Sequence, residues 1–157
     1  MHFFKVNHMY KLRKAIISDA PVIVSFQVKM AWETENFKLD PDSVIKGVEA
    51  VLNDPNKGMY YVAEYEGNVI ACMLITTEWS DWRNGTVLWI QSLYVENEYR
   101  KRGIFKMMFN HIKNMVLENE NLKGIRLYVD KSNTNAVNVY NKLGMNSNHY
   151  KLFEWMK

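Results

Sequence analysis

Three cations, Arg100, Lys101 and Arg102, stand directly before Gly103 and Ile104 in the run Tyr94-Val95-Glu96-Asn97-Glu98-Tyr99-Arg100-Lys101-Arg102-Gly103-Ile104. The segment from Gly103 onward reads as a helix, and cations at a helix N-terminus have the wrong sign for its dipole. The free N–H groups of a first helical turn attract an anion, and added cations strengthen that attraction. A glycine at the junction allows close backbone approach. A phosphate-bearing ligand would resolve the conflict. A solvated basic turn is the plain alternative for any such run. Its place after an apolar strand and before an amphipathic helix favours the ligand, because open α/β sheets bind beyond the C-terminal ends of parallel strands. Two further segments set acids beside tryptophans: Trp32-Glu33-Thr34-Glu35 and Glu78-Trp79-Ser80-Asp81-Trp82. Carboxylates and indole faces both favour a cation. The alternative is a surface with structural tryptophans and solvated acids. Other reactive types carry little. Cys72 is the single cysteine and sits in an apolar stretch, as an inert buried thiol does. His2, His8, His111 and His149 have no metal-ligand spacing.

The elements that must position these groups alternate in type. Tyr10 to Ile17 reads as a first strand. Asp19 is a candidate N-cap for a helix with Pro21 in its first turn, and Asp40-Pro41 opens a second helix carrying Val44, Val48, Val51 and Leu52. Met59–Tyr65 and Val69–Thr77 form a hairpin across Glu66-Gly67-Asn68. Thr86–Val95 is nearly continuous in apolar residues, the pattern of a strand buried on both faces. Gly103–Glu118 is the clearest helix, with Ile104, Met108, Ile112 and Met115 in one row. Ile125–Val129 is predicted as a short parallel strand, Thr134–Leu143 as a helix ended by Gly144, and Asn148–Trp155 as a final strand. The fold class expected is therefore α/β, a mixed sheet flanked by about four helices.

Composition bounds the alternatives. The chain has 157 residues, 48% hydrophobic and 24% charged, which suits one globular domain with its own core. A net charge of +3 is too small to imply nucleic acid, and no apolar run approaches the ~18 residues of a membrane span. One cysteine permits no disulfide within the chain and fits a reducing compartment, so a cytoplasmic location is expected. Residues 1–9 read as a flexible N-terminal extension without a signal-peptide pattern.

Arg100-Lys101-Arg102-Gly103-Ile104 resembles the pyrophosphate loop of the GNAT superfamily of acetyl-CoA-dependent N-acetyltransferases, whose pattern is Gln or Arg, two residues, Gly, one residue, then Gly or Ala. A second run, Val129, Asn133, Ala136, Tyr140, Lys142, Gly144 and Met145, is similar to the family's later motif at the same spacing. The resemblance implies a GNAT-like fold over residues 1–157 as a single domain, with the sheet splayed between its two parallel strands. It implies acetyl-CoA as cosubstrate and no metal. Leu93 and Val95 would offer backbone to the pantetheine arm, Arg100, Lys101, Arg102, Gly103 and Ile104 would hold the pyrophosphate, and Asn133 would bind the arm through its amide. Asn138 is a weaker candidate, and an N-cap is the alternative for Asn133. Tyr140 matches the general acid that protonates the departing thiolate. Its alternative role is packing.

Two positions depart from the pattern. Phe105 stands where the family has Gly or Ala, and is expected to turn into the core beside Phe109. Gln91 stands where polyamine-type members carry a glutamate base, and an amide cannot take a proton. The work then falls to a water, Glu33, Glu35, Glu78 or Asp81, with Glu33 and Glu78 preferred as catalytic groups. In the family both acid–tryptophan segments border the acceptor, and Trp82 with Gly85 resembles a turn of the diamine acetyltransferases. The expected function is transfer of acetyl to a small cationic amine by direct attack. The partner is then a small-molecule amine, not nucleic acid or membrane, and the protein could pair as a homodimer. Rival readings are a protein lysine or N-terminal acetyltransferase, a non-catalytic CoA-binding regulator, and a nucleic-acid module. The last lacks interleaved aromatic platforms.

Overall fold

The computed structural model describes residues 10–157, so the extension expected over residues 1–9 lies outside the described residues. Two compact units are present, one ending at Arg126 and one running Leu127–Lys157. The first contains β1 (Lys11–Lys14), α1 (Ala20–Glu35), α2 (Pro41–Asn53), β2 (Met59–Tyr65), β3 (Asn68–Ser80), β4 (Gly85–Val95), α3 (Ile104–Glu118) and β5 (Leu122–Arg126). Short 3-10 turns, Ile17–Asp19 and Asn97–Tyr99, precede α1 and the basic loop. The second unit contains α4 (Thr134–Lys142).

The five strands form one sheet in the order β1-β2-β3-β4-β5. All neighbours are antiparallel except β4 and β5, which the α3 crossover makes parallel. This is the mixed sheet with four helices that the sequence predicts. One face carries Tyr60, Val62, Cys72, Leu74 and Tyr94, buried against Ile23 and Phe26 of α1 and Val48 of α2. Tyr61 points the other way. Its ring meets His111 of α3 at 5.2 Å and its hydroxyl donates to Met115 Sδ at 3.6 Å, so α3 covers the second face. Ile104, Met108 and Ile112, one face of α3 at helical spacing, are each at most 2% exposed.

Several local expectations shift. Asp19 precedes α1 but makes no capping bond. Its carboxylate instead accepts two bonds from Arg13, at 2.7 and 2.9 Å, and one from Ile16 N–H at 2.8 Å. Asp40 does cap α2, accepting from Ser43 N–H at 2.9 Å. β5 starts three residues earlier than predicted, because pairing of Leu122–Arg126 with Thr86–Trp89 recruits the polar Lys123 and Gly124. β3 runs on to Ser80 for the same reason, with Glu78 opposite Val87 and Ser80 opposite Gly85. A Cβ on Gly85 would lie 2.8 Å from Asn121 O, so glycine is needed where β4 begins. In the second unit, residues 145–157 carry no helix or strand, and the strand predicted over Asn148–Trp155 is not formed there. Within that unit it has no partner strand, and a lone strand leaves its N–H and C=O groups unpaired.

Candidate active site

The geometry begins with β4. Glu96 N–H donates to Ile70 O at 2.8 Å, so the backbone groups of residue 96 point toward β3. Alternation along an extended strand turns those of Val95 and Leu93 toward the opposite edge. Within residues 10–126 the parallel ladder with β5 runs only from Thr86–Leu122 to Trp89–Arg126, so that edge meets no strand at Leu93 and Val95. Between these stretches the β3 register slips: Cys72 faces Tyr94 and Leu74 faces Gln91, so one residue of β3, Met73, lies opposite two of β4, Ser92 and Leu93. The extra residue is a β-bulge at Ser92, whose φ is +48°. Composition gave no sign of Ser92, a serine in a run that otherwise reads as continuous strand.

Beyond β4 the chain makes the 3-10 turn and enters the basic loop. Lys101 and Gly103 both take left-handed φ, +61° and +78°. The backbone N–H groups of Lys101, Arg102, Gly103 and Ile104 make no hydrogen bond to any described residue. A Cβ on Gly103 would meet nothing within 4 Å. Consecutive unpaired N–H groups in such a turn, at the start of a 15-residue helix, form an anion-binding concavity. The three cations differ in what they touch. Lys101 is exposed and has no partner among the described residues. Arg102 lies over the Tyr99 ring at 5.5 Å. Arg100 turns back, its Nη2 donating to Glu33 Oε2 at 2.6 Å and its Nε to Val95 O at 2.9 Å, with its guanidinium over the Tyr94 ring at 5.2 Å. Phe105 packs on Phe109, ring centres 6.0 Å apart, as expected of an aromatic at that position.

The sequence model of the acetyltransferase (GNAT) family matches residues 15–145. The chain belongs to that family. It is an acetyl-CoA-dependent acetyltransferase. Among solved structures it is similar to a possible acetyltransferase from Clostridium difficile 630, at 45% identity and TM-score 0.88, over 95% of this chain and 98% of that one. It shares its fold with a predicted acetyltransferase from Clostridium acetobutylicum solved with acetyl-CoA, at 22% identity and TM-score 0.72 over 93% and 96% of the two chains. It also shares its fold with an aminoglycoside acetyltransferase from an uncultured soil metagenomic sample, at 15% identity and TM-score 0.75 over 98% and 100%. No curated protein matches the chain.

For a GNAT acetyltransferase the basic loop has the donor set that a pyrophosphate requires: backbone N–H groups, open space above Gly103, and exposed Lys101 and Arg102. Among the described residues, no group of His, Cys, Asp and Glu could hold a metal. Glu33 and Glu78 lie far apart. Glu33 touches Tyr94, its Oε1 accepting from the Tyr94 hydroxyl at 3.2 Å, whereas Glu78 accepts from Trp89 Nε1 at 2.8 Å. Trp89 and Tyr94 are five residues apart on β4, on the order of 15 Å at ~3.3 Å per residue. Glu78 is also ion-paired with Arg126, so neither preferred acid is a bare charge. Glu35 and Asp81, rated lower from sequence, have no cationic partner among the described residues. Gln91 donates to Thr76 Oγ1 at 2.6 Å. Gln91, Thr76, Trp89 and Glu78 share the sheet face that α1 and α2 cover farther along. Three tryptophans of the acid-bearing segments, Trp32, Trp79 and Trp82, are exposed, Trp82 to 87%.

In the second unit Asn133 caps α4, its Oδ1 accepting from Ala136 N–H at 3.1 Å. Tyr140 lines a depression with Leu127, Val129, Val137 and Met145. Burial raises its phenol above the ordinary tyrosine range, so it carries its proton at neutral pH. Tyr94 is pushed up to about 12, first by burial and then by the nearby Glu33 carboxylate. Burial likewise raises the Cys72 thiol to about 12 and leaves it unreactive.

Proposed function

We propose that the enzyme transfers the acetyl group of acetyl-CoA to the nitrogen of a small cationic amine, of the diamine or polyamine kind, by direct attack in a ternary complex. The observation that carries the cosubstrate half is the loop at the start of α3, with left-handed Lys101 and Gly103 and unpaired N–H groups from Lys101 to Ile104. In this reading those groups, with the Lys101 and Arg102 side chains, hold the pyrophosphate. The backbone edge at Leu93 and Val95 pairs with the pantetheine arm. The Asn133 amide Nδ2, left over once Oδ1 has capped α4, donates to the same arm.

The chemistry then follows from protonation states. The amine lone pair attacks the thioester carbonyl, a C–N bond forms, and the C–S bond breaks as the intermediate collapses. The thiolate takes the Tyr140 proton, and the proton that the new amide nitrogen sheds returns to the tyrosinate. A positioned acid of this kind contributes roughly 10²–10⁴-fold. An alkylamine near pKa ~10 arrives protonated and must lose its proton first. Glu78 accepts it through a water, since each carboxylate oxygen has a second lone pair beyond those facing Trp89 and Arg126. Glu35, Asp81 and the faces of Trp32 and Trp82 supply the attraction for a cation. Residues 1–157 act as one acetyltransferase domain, a reading supported by a family match that runs through both units.

The test is thiol release from acetyl-CoA over diamines, uncharged-tail amines and peptides. Diamines should be the best acceptors, Glu78→Gln should lower kcat for every amine, and Glu35→Gln or Asp81→Asn should raise KM for a diamine much more than for an uncharged-tail amine. Turnover confined to peptides would replace the small-amine assignment with a protein acceptor. CoA binding without turnover on any amine would make the protein a regulator.

A further inference from the structure

Two ion pairs join the last turns of α1 to the approach of the basic loop. Lys29 Nζ meets Glu96 Oε1 at 2.6 Å, and four residues on, Glu33 Oε2 meets Arg100 Nη2 at 2.6 Å. The spacing is four on both segments, because residues four apart share a helix face and because the 3-10 turn Asn97–Tyr99 sets Glu96 and Arg100 one turn apart. The signs are crossed, cation to anion on one rung and anion to cation on the other, so shifting α1 by one rung would oppose like charges. The second rung is reinforced. Glu33 also accepts from Tyr94, and Arg100 is held by Val95 O and stacked on the Tyr94 ring. Arg100 is the residue immediately before left-handed Lys101, where the run of unpaired N–H groups begins.

We propose that Glu33 is a positioning residue for the cosubstrate loop, acting through Arg100, and that Arg100 is a strut of that loop and not a ligand of the phosphates. The inference rests on the reading that the Lys101–Ile104 loop holds the pyrophosphate of acetyl-CoA. Three observations carry it. Arg100 spends its Nε and Nη2 on groups of the protein, which leaves Lys101 and Arg102 as the loop's available cations. The Glu33 charge is neutralised by Arg100 and so does not repel the pyrophosphate. The pair also joins elements 67 residues apart in sequence, fixing the loop's first residue against β4 and α1. Both partners are more than a third exposed, so the pair contributes little to stability. Its effect is pre-organisation of a strained loop.

Calorimetric titration of CoA into Glu33→Gln, Arg100→Gln, the double variant and Gly103→Asp tests this, with KM for acetyl-CoA and for the amine measured in parallel. Glu33→Gln should weaken CoA binding by roughly tenfold, about one charged hydrogen bond's worth, with Tm within about 3 °C of wild type. Arg100→Gln should match it, and the double variant should be no worse than either single one, because the two act as a unit. Glu33→Asp should recover part of the loss. If Gly103→Asp impairs CoA binding while Glu33→Gln binds CoA as tightly as wild type or more tightly, the positioning role is overturned and Arg100 is a direct phosphate ligand. If Glu33→Gln lowers kcat or raises only the amine KM, Glu33 acts on the acceptor and the role is again overturned. Unchanged CoA affinity in Gly103→Asp overturns the reading of the loop itself.

Discussion

Replacing Gly103 by alanine and by aspartate separates the backbone's part in holding the cosubstrate from its charge. Gly103 sits at φ +78°, ψ +13°, a conformation that costs an ordinary L-residue roughly 1–2 kcal/mol. A Cβ there meets nothing within 4 Å, so no clash within the described residues adds to that cost. Gly103→Ala should therefore lower Tm by about 2–8 °C at ~2–4 °C per kcal/mol for a chain of this size. Aspartate tolerates the left-handed region better than alanine, because its short polar side chain bonds locally, so Gly103→Asp should lose less stability. Binding should follow the opposite order. The new carboxylate occupies the open space over the N–H groups of the loop and meets the pyrophosphate at close range. A pair of unit charges about 4 Å apart interacts by ~1 kcal/mol in bulk water and ~4 kcal/mol at an effective dielectric of ~20. CoA affinity should thus fall by roughly 10- to 10³-fold in Gly103→Asp, with the larger loss at low salt. Calorimetric titration of CoA beside thermal unfolding of the same samples reads both quantities. Affinity in the aspartate variant within twofold of that in the alanine variant would refute the assignment of the loop to an anion, whatever the stabilities.

Tyr140→Phe should lower kcat by about 10²-fold or more with CoA affinity nearly unchanged, in a steady-state assay with a matched titration. Because burial raises the Tyr140 phenol, any loss of kcat from its ionisation should begin only above the ordinary tyrosine range near pH ~10, and an alkaline limb centred near pH ~8 would assign it to another group. Asp19→Asn should cost about 2–3 kcal/mol, less than the ~3–5 for breaking a fully buried pair, because Arg13 is a quarter exposed and keeps Glu64. The Arg13 bonds hold the Asp19 carboxyl below its ordinary value, so this contribution is complete above pH ~4 and fades as pH falls through the lowered value. The gap between denaturant melts of wild type and Asp19→Asn should start to close below pH ~4 and vanish only once pH is below the lowered value, and a gap that does not narrow on acidification would show that the loss comes from packing.

The parts of the fold legible in the sequence were those in which apolar period and element coincide. Met59–Tyr65 is both the predicted and the observed strand, and Ile104, Met108 and Ile112 mark the core face of α3 as read. The misses arose where pairing outweighed composition. Glu78 lies within β3 because Val87 is opposite it, and Lys123-Gly124 lies within β5 because β4 is its neighbour. A periodicity reading sees apolar residues and has no access to the register that draws polar ones into a ladder. Asp19 does stand at the N-cap of α1, but its carboxylate makes no capping bond, because Arg13 offers a bidentate charged partner, the stronger bond.

The same division runs through the site. The basic loop stood out because its charge opposed the helix dipole, a conflict contained within consecutive residues from Arg100 to Ile104. Which of its cations remains available did not stand out, because that is decided by Glu33, 67 residues away in sequence. Before the fold, Arg100, Lys101 and Arg102 are equivalent. After it, one is bound to protein carboxylate, carbonyl and ring, one lies over an aromatic face, and one is exposed without a partner among the described residues. Tertiary structure thus sorts a run of like charges into a strut and donors. The sorting also shifts the acids: Glu33 and Glu78 are ion-paired, whereas Glu35 and Asp81 keep a charge that no cation of the described residues neutralises. Specificity for a cationic acceptor, if it resides in these segments, should therefore respond more to Glu35 and Asp81 than their sequence positions suggest, since an unpaired carboxylate attracts a cation over a longer range than one already closed on an arginine.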